Sequence, residues 1–100
     1  MDKYIVKMTD QALRDVEQIF EYVAESLLEP DIAKSLIDLI SEKIISLEDQ
    51  PHRCPERRVG IYAGKGYRQL LIRNYTIIYR IDESQKTVVI VTVRYSRSDF

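Results

Sequence analysis

Between Thr9 and Pro51 the apolar residues return every three or four positions, and from Tyr67 onward they crowd into three runs rich in Val, Ile, Tyr and Thr. A chain with that order can make a helical hairpin and a small sheet, and it must press one against the other to have a core at all. In the first block Leu13, Val16, Phe20, Val23, Ala24 and Leu27 form one stripe, opposite Asp15, Glu17, Glu21 and Glu25. Thr9 reads as the N-cap and Asp10 sits in the first turn. In the second block Pro30 suits a first helical position, and Ala33, Leu36, Ile37, Ile40, Ile44 and Leu47 repeat the stripe until Pro51 stops it. Leu13, Phe20, Ala24, Leu36, Ile40 and Ile44 are therefore expected to face the sheet.

Lys3 to Met8 alternates, the mark of a short strand. The three later strands are Tyr67 to Arg73, Tyr75 to Asp82 and Thr87 to Tyr95, separated by gaps short enough for hairpins. His52 to Gly66 reads mainly as loop, with Val59 to Ala63 extended. The expectation is an α+β domain of β-α-α-β-β-β order, a helical hairpin on a mainly antiparallel sheet, covering residues 1–100 as one unit. Tyr75, Ile77, Tyr79 and Ile81 should face the helices, which turns Thr76, Ile78 and Arg80 toward an unprotected face. The last strand is apolar on both parities, which fits either a central strand or an exposed groove.

At 100 residues there is no room for a large nucleotide-binding fold, and no apolar run reaches the length of a membrane span. Met1-Asp2-Lys3-Tyr4 lacks the pattern of a signal peptide, so a cytoplasmic protein is expected. Cys54 is the only cysteine, which excludes an intrachain disulfide. The formal net charge of −1 conceals two opposed halves. Residues 1–51 carry five Lys and Arg against twelve Asp and Glu, and residues 52–100 carry ten against four. Such asymmetry points to an anionic partner for the second half, or to pairing of acidic helices with a basic sheet. Most of the later basic residues are Arg, whose planar fork grips carboxylate or phosphate bidentately.

Standard catalytic signatures are missing. Gly64-Lys65-Gly66 is too short for a phosphate-cradling loop and is followed by no Ser or Thr. His52 and Cys54 alone cannot make a structural zinc site, so neither metal nor cofactor is expected. They are also poorly spaced for a nucleophile and base.

What remains is an Arg and Tyr constellation on a sheet. Gly66-Tyr67-Arg68-Gln69-Leu70, the run Asn74 to Asp82 and the tail Val93-Arg94-Tyr95-Ser96-Arg97-Ser98-Asp99-Phe100 resemble the RelE/ParE superfamily of bacterial type II toxin–antitoxin toxins. Thr9, Ala12, Asp15, Ile19, Tyr22 and Ala24 and the closing Leu47 to Pro51 strengthen the likeness. The resemblance spans essentially the whole chain. It implies a growth-inhibiting toxin, of the kind linked to plasmid stabilization, silenced by a cognate antitoxin. It also implies one of two targets. ParE-like members poison DNA gyrase, whereas RelE-like members cut mRNA on the ribosome without metal. Where RelE-like nucleases place an Arg after the tyrosine, this chain has Thr76, and the long hairpin from Thr9 to Gln50 is also ParE-like. Lys65, Arg68, Arg80, Arg94 and Arg97 are the candidate target-binding residues. In a nuclease Arg68, Arg80, Arg94, Tyr95 and Arg97 would be the catalytic set, with Tyr95 where many relatives carry a His. A toxin fold kept only as an antitoxin-binding module is the third reading. Arg68 and Arg80 serve equally as cross-strand partners of Asp82 or Glu83, and Tyr75 and Tyr79 as core aromatics. The antitoxin is expected to be an acidic segment, disordered when free, that lays a helix beside the hairpin or adds a strand.

Overall fold

A computed structural model describes residues 3–100, leaving Met1 and Asp2 outside the described residues. Strand β1 is Ile5–Met8, helix α1 Asp10–Glu21, helix α2 Pro30–Ile45, and β2, β3 and β4 are Arg68–Ile72, Tyr75–Asp82 and Thr87–Tyr95. Thr9 caps α1 by accepting the Ala12 N–H at 3.1 Å, and Pro30 opens α2. Between the helices Tyr22–Ser26 widens into a π turn, with the Leu27 N–H reaching Tyr22 O at 3.0 Å. The link then turns on Leu28 at φ 55°, a left-handed conformation supplied without a glycine.

The sheet order is β1-β4-β3-β2, with β1 parallel to β4 and the other pairs antiparallel. Its inner face carries Val6, Met8, Leu70, Ile72, Ile77, Tyr79, Val88, Ile90 and Val93 against the two helices. Ile40, Ile44 and Leu47 close the core from α2 and the turn after it. No helix among the described residues is long and apolar enough to cross a membrane.

Three expectations need correcting. First, α1 is rotated by about one residue from the predicted stripe. Ile40 and Ile44 are buried as expected and Leu36 and Ala24 partly so, but Leu13 is 53% exposed and Phe20 40%. The buried positions of the helix are Ala12 and Asp15, with Val16 and Ile19 half-buried beside them. Asp15, read as part of the solvent face, is 9% exposed. β1 stops at Met8 while β4 runs on to Tyr95, and there the Val93 N–H donates to Asp15 Oδ2 at 3.1 Å. The helix turns to deliver that carboxylate, which satisfies an N–H that would otherwise be unpaired on a buried strand edge.

Second, the outer face of the sheet is covered where Thr76 and Ile78 lie, and both are buried; Arg80 is exposed as expected. Phe100 folds back over this face between the guanidinium groups of Arg57, 4.4 Å from its ring centre, and Arg94, at 5.6 Å. Third, Val59 to Ala63 is no extended segment. Gly60–Tyr62 is a 3-10 turn whose Ile61 N–H donates to Phe100 O at 3.2 Å. Gly60 has φ +76°, and a Cβ there would lie 1.8 Å from Phe100 O, so only glycine fits. The open question over β4 resolves in favour of a central strand, flanked by β1 and β3.

Replacing Asp15 by Ala should strand the Val93 N–H and cost about 1–3 kcal/mol. The same change at exposed Glu17 should stay within about 0.5 kcal/mol. Urea unfolding of the two variants checks this.

Candidate functional site

Each basic candidate is placed by the strand that carries it. Arg68 lies on the inner face, in register with Tyr79, and its Nη1 donates to Cys54 O at 2.6 Å and His52 O at 3.4 Å. The Tyr79 hydroxyl donates to Pro51 O at 2.6 Å, so these two neighbours hold the loop that follows α2. Burial, with Cys54 beside it, pushes the Tyr79 phenol far above its ordinary range. Arg80 stands exposed on the outer face opposite Val89. Lys65 is exposed in the turn between Gly64 and Gly66, and Arg97 is exposed just beyond β4.

Arg94 is held on two sides. It shares the outer face with Thr76, its Nε donates to Thr92 Oγ1 at 3.1 Å, and Phe100 lies against its guanidinium. The Thr92 hydroxyl in turn donates to Asp15 Oδ2, and Asp15 Oδ1 accepts from the Gln11 amide at 2.7 Å. Tyr95, on the inner row, meets Tyr75 edge to face with ring centres 5.9 Å apart. Burial, then Tyr95 and Tyr22, raises the Tyr75 phenol above its ordinary value, which keeps it a neutral donor. Thr76 Oγ1 and Ser96 Oγ share a hydrogen bond of 2.8 Å.

Around these residues α1 and the end of β4 enclose an open cleft of about 870 Å3, lined by Gln18, Ile19, Tyr22, Tyr75, Arg94 and Tyr95 among others. A second groove of about 510 Å3 between α2 and the β2–β3 turn shares Leu27, Asn74 and Tyr75 with it. Arg94, Tyr95 and Arg97 therefore gather at one end of the sheet. Arg80 and Arg68 lie in the rows of Val89 and Tyr79, four residues or about 13 Å along β3 from those of Arg94 and Tyr95. Sequence reasoning named Asp15 and Phe100 within the family pattern, gave neither a role here, and missed Thr92. One signal was present: Asp15 stands in step with Ala12 and Ile19, and Thr92 is a lone hydroxyl in a run of Val and Ile.

Direct pairing of acidic helices with a basic sheet is not what the charges do. Among the described residues the only Lys or Arg ion pair joins Glu83 to Lys86, at 3.3 Å, and His52 Nε2 hydrogen-bonds the same carboxylate at 2.5 Å. Arg68 and Arg80 make no salt bridge to Asp82 or Glu83.

A family model described as the ParE toxin of type II toxin–antitoxin systems, parDE, matches residues 6–100. The chain belongs to the ParE toxin family. Solved structures of toxin–antitoxin systems share its fold. The chromosomal ParDE system of P. aeruginosa superposes with TM-score 0.76 at 19% identity, covering 93% of this chain and 96% of that one. The RelBE2 complex of Mycobacterium tuberculosis gives TM-score 0.65 at 25% identity, covering 95% and 93%. The intact E. coli RelBE complex gives 0.64 at 11%, covering 95% and 99%. No curated protein sequence matches.

Two measurements follow from this geometry. Arg68→Ala should lower stability by about 1–3 kcal/mol, because it leaves the loop carbonyls of His52 and Cys54 without their donor; urea unfolding reads this. Glu83 titrates below the usual carboxylate range, held there first by the Tyr4 hydroxyl at 3.0 Å and then by His52 and Lys86. Its contribution to stability is present above the unfolded carboxylate pKa and is lost as pH falls through the lowered value. Tyr4→Phe should move the Glu83 titration upward in carboxyl-resolved NMR.

Proposed function

We propose that this ParE-family toxin inhibits growth by docking on a bacterial macromolecular machine, with DNA gyrase as the first target, and without bond-making chemistry of its own. The observation that carries the reading is that the candidate catalytic residues do not converge. Phosphodiester cleavage needs a base, an acid and a cationic group within hydrogen-bond reach of one phosphate. Arg80 and Arg68 lie four residues, about 13 Å, along β3 from the end where Arg94 and Tyr95 line the cleft, and the Arg68 Nη1 is engaged with carbonyls. The position where RelE-like nucleases carry an arginine holds Thr76, buried and bonded to Ser96.

Docking asks less of the site: a surface with shape, a few anchored donors and exposed apolar walls. The cleft at the end of β4 has these, with Arg94 in its wall and Arg97 exposed just beyond the strand. The reading treats the chain as one toxin unit acting in the cytoplasm, where gyrase and ribosomes are both found. The antitoxin partner is supported by the neighbours in fold, two of which are toxin–antitoxin complexes. Its segment is expected to be acidic and to order on contact.

The test is a supercoiling assay with purified gyrase beside an mRNA cleavage assay on translating ribosomes, using one toxin preparation. Inhibition of supercoiling with intact mRNA is the expected result. Cleaved mRNA would establish the RelE-like nuclease instead, and inertness in both assays with no growth arrest would leave the antitoxin-binding module. Replacing Arg94 and Arg97 together by Ala should relieve growth arrest. Each guanidinium contributes about 1–3 kcal/mol to an anionic contact, while partly exposed charges add less than about 1 kcal/mol to stability. A melting curve close to that of the unaltered protein completes the check.

A further inference from the structure

Beyond Met8 the side of β4 that faces away from β3 has no strand beside it, and α1 stands in for one. Thr9 Oγ1 donates to Val91 O at 2.8 Å, and Asp15 takes the Val93 N–H. The Ser96 N–H turns toward β3 and donates to Asn74 O at 2.7 Å. By alternation the Tyr95 N–H turns the other way, toward the cleft. The last stretch of β4 is thus a partly open sheet edge, and Arg94 stands on it.

The hold on Arg94 is directional. A carboxylate only accepts, so the Thr92 hydroxyl must give its single proton to Asp15 and turn a lone pair to the Arg94 Nε. Thr92 is 0% exposed and cannot itself touch a partner. With Nε fixed and Phe100 against the guanidinium, the rotamer freedom of a long side chain is already spent before any partner arrives. Among the described residues the two terminal nitrogens of Arg94 have no hydrogen-bond partner, which leaves a planar pair of donors for one carboxylate. Tyr22, Tyr75, Tyr95 and Ile19 wall the cleft. Arg94 and Asp15 are its only formal charges, and they cancel. A nucleic-acid backbone would call for several cations, whereas one carboxylate beside an apolar side chain needs only this one.

We propose that this cleft receives a carboxylate side chain of the protein that the toxin inhibits, bound by Arg94, with Thr92 and Asp15 as positioning residues that hold the guanidinium in place. The proposal rests on the docking reading. It makes the buried pair part of recognition although neither residue reaches the partner.

The test titrates growth arrest against toxin level in cells lacking the antitoxin, beside melting curves and gyrase inhibition of the purified proteins. Thr92→Val should raise the toxin level needed for arrest about tenfold, the size expected for one lost orienting hydrogen bond to a charged group. Thr92→Ser, which keeps the hydroxyl, should recover potency, and Thr92→Val should add nothing to Arg94→Ala. Arg94→Lys, which keeps the charge at an exposed-edge position but loses the fork, should be as weak as Arg94→Ala, and it reads the site even where Thr92→Val fails to fold. A folded Thr92→Val of full potency, an equal loss in Thr92→Ser, additivity with Arg94→Ala, or a fully potent Arg94→Lys each overturns the proposal while leaving the docking reading standing. Full potency of Arg94→Ala overturns both. Ribosome-dependent mRNA cleavage that Arg94→Ala abolishes shows the cleft serving a phosphate and overturns the carboxylate assignment.

Discussion

A carboxylate buried against the edge of a strand organises the upper half of this molecule. Asp15 accepts from the Val93 N–H, the Thr92 hydroxyl and the Gln11 amide. Removing a charge from water costs several kcal/mol, and three donors converging on two oxygens are the condition under which that cost is met. The alternative would be a longer β1, pairing β4 along its whole length. That sheet would need no aspartate, but it would close the edge and leave no cleft beside Arg94. The short first strand and the buried acid are two parts of one solution, and the rotation of α1 that exposes Leu13 and Phe20 follows from it.

The basic half of the chain answers a different demand. Between Pro51 and Gly66 the backbone crosses from the helices to β2 with little regular structure, so its carbonyls need donors from elsewhere. Arg53 donates to Ser46 O at 3.2 Å and Gln50 O at 3.3 Å, Arg57 to Val59 O at 3.0 Å, and Arg68 to Cys54 O at 2.6 Å. Three of the guanidinium groups that give the second half its positive charge thus tether the loop and the end of the helical hairpin. An excess of arginine is evidence of a binding face only after those with a structural occupation are set aside. Arg80, Arg94 and Arg97 are among those that remain, and of the three Arg94 lines the cleft.

The fold was legible because it rests on periodicity. Both helices, all four strands and the order of elements could be read from spacing and turn residues, and the strand ends moved by no more than two residues. What could not be read were features that depend on long-range partners. Asp15 stands in step with Ala12 and Ile19, but what it pairs with is visible only when β4 is laid beside it, 78 residues away along the chain. Thr76 and Ile78 look exposed because alternation says which face a side chain takes and nothing about what covers that face. Phe100 lies over that face beside Arg94, and no local pattern ties it to Gly60 or Arg57. The candidate site divides along the same line: the Arg and Tyr residues were visible as types, and their failure to converge was visible only in three dimensions.

That arrangement bears on what the shared fold leaves undecided. The ParDE and RelBE structures share this architecture at 11–25% identity to this chain, and a shared fold does not by itself name a target. On the docking reading proposed above, target choice lies in the side chains at the end of β3 and β4. An arginine at position 76 would project from the same row as Arg94 and bring two guanidinium groups within reach of one phosphate. Threonine there does the reverse, because it is short, fully covered and satisfied by Ser96. With that site closed, the remaining anchored cation is Arg94, fixed by neutral and buried partners and walled by three tyrosines. A single oriented charge in an aromatic cleft gives little electrostatic stabilisation to a reacting phosphate, but it suits recognition of one acidic side chain at small entropic cost.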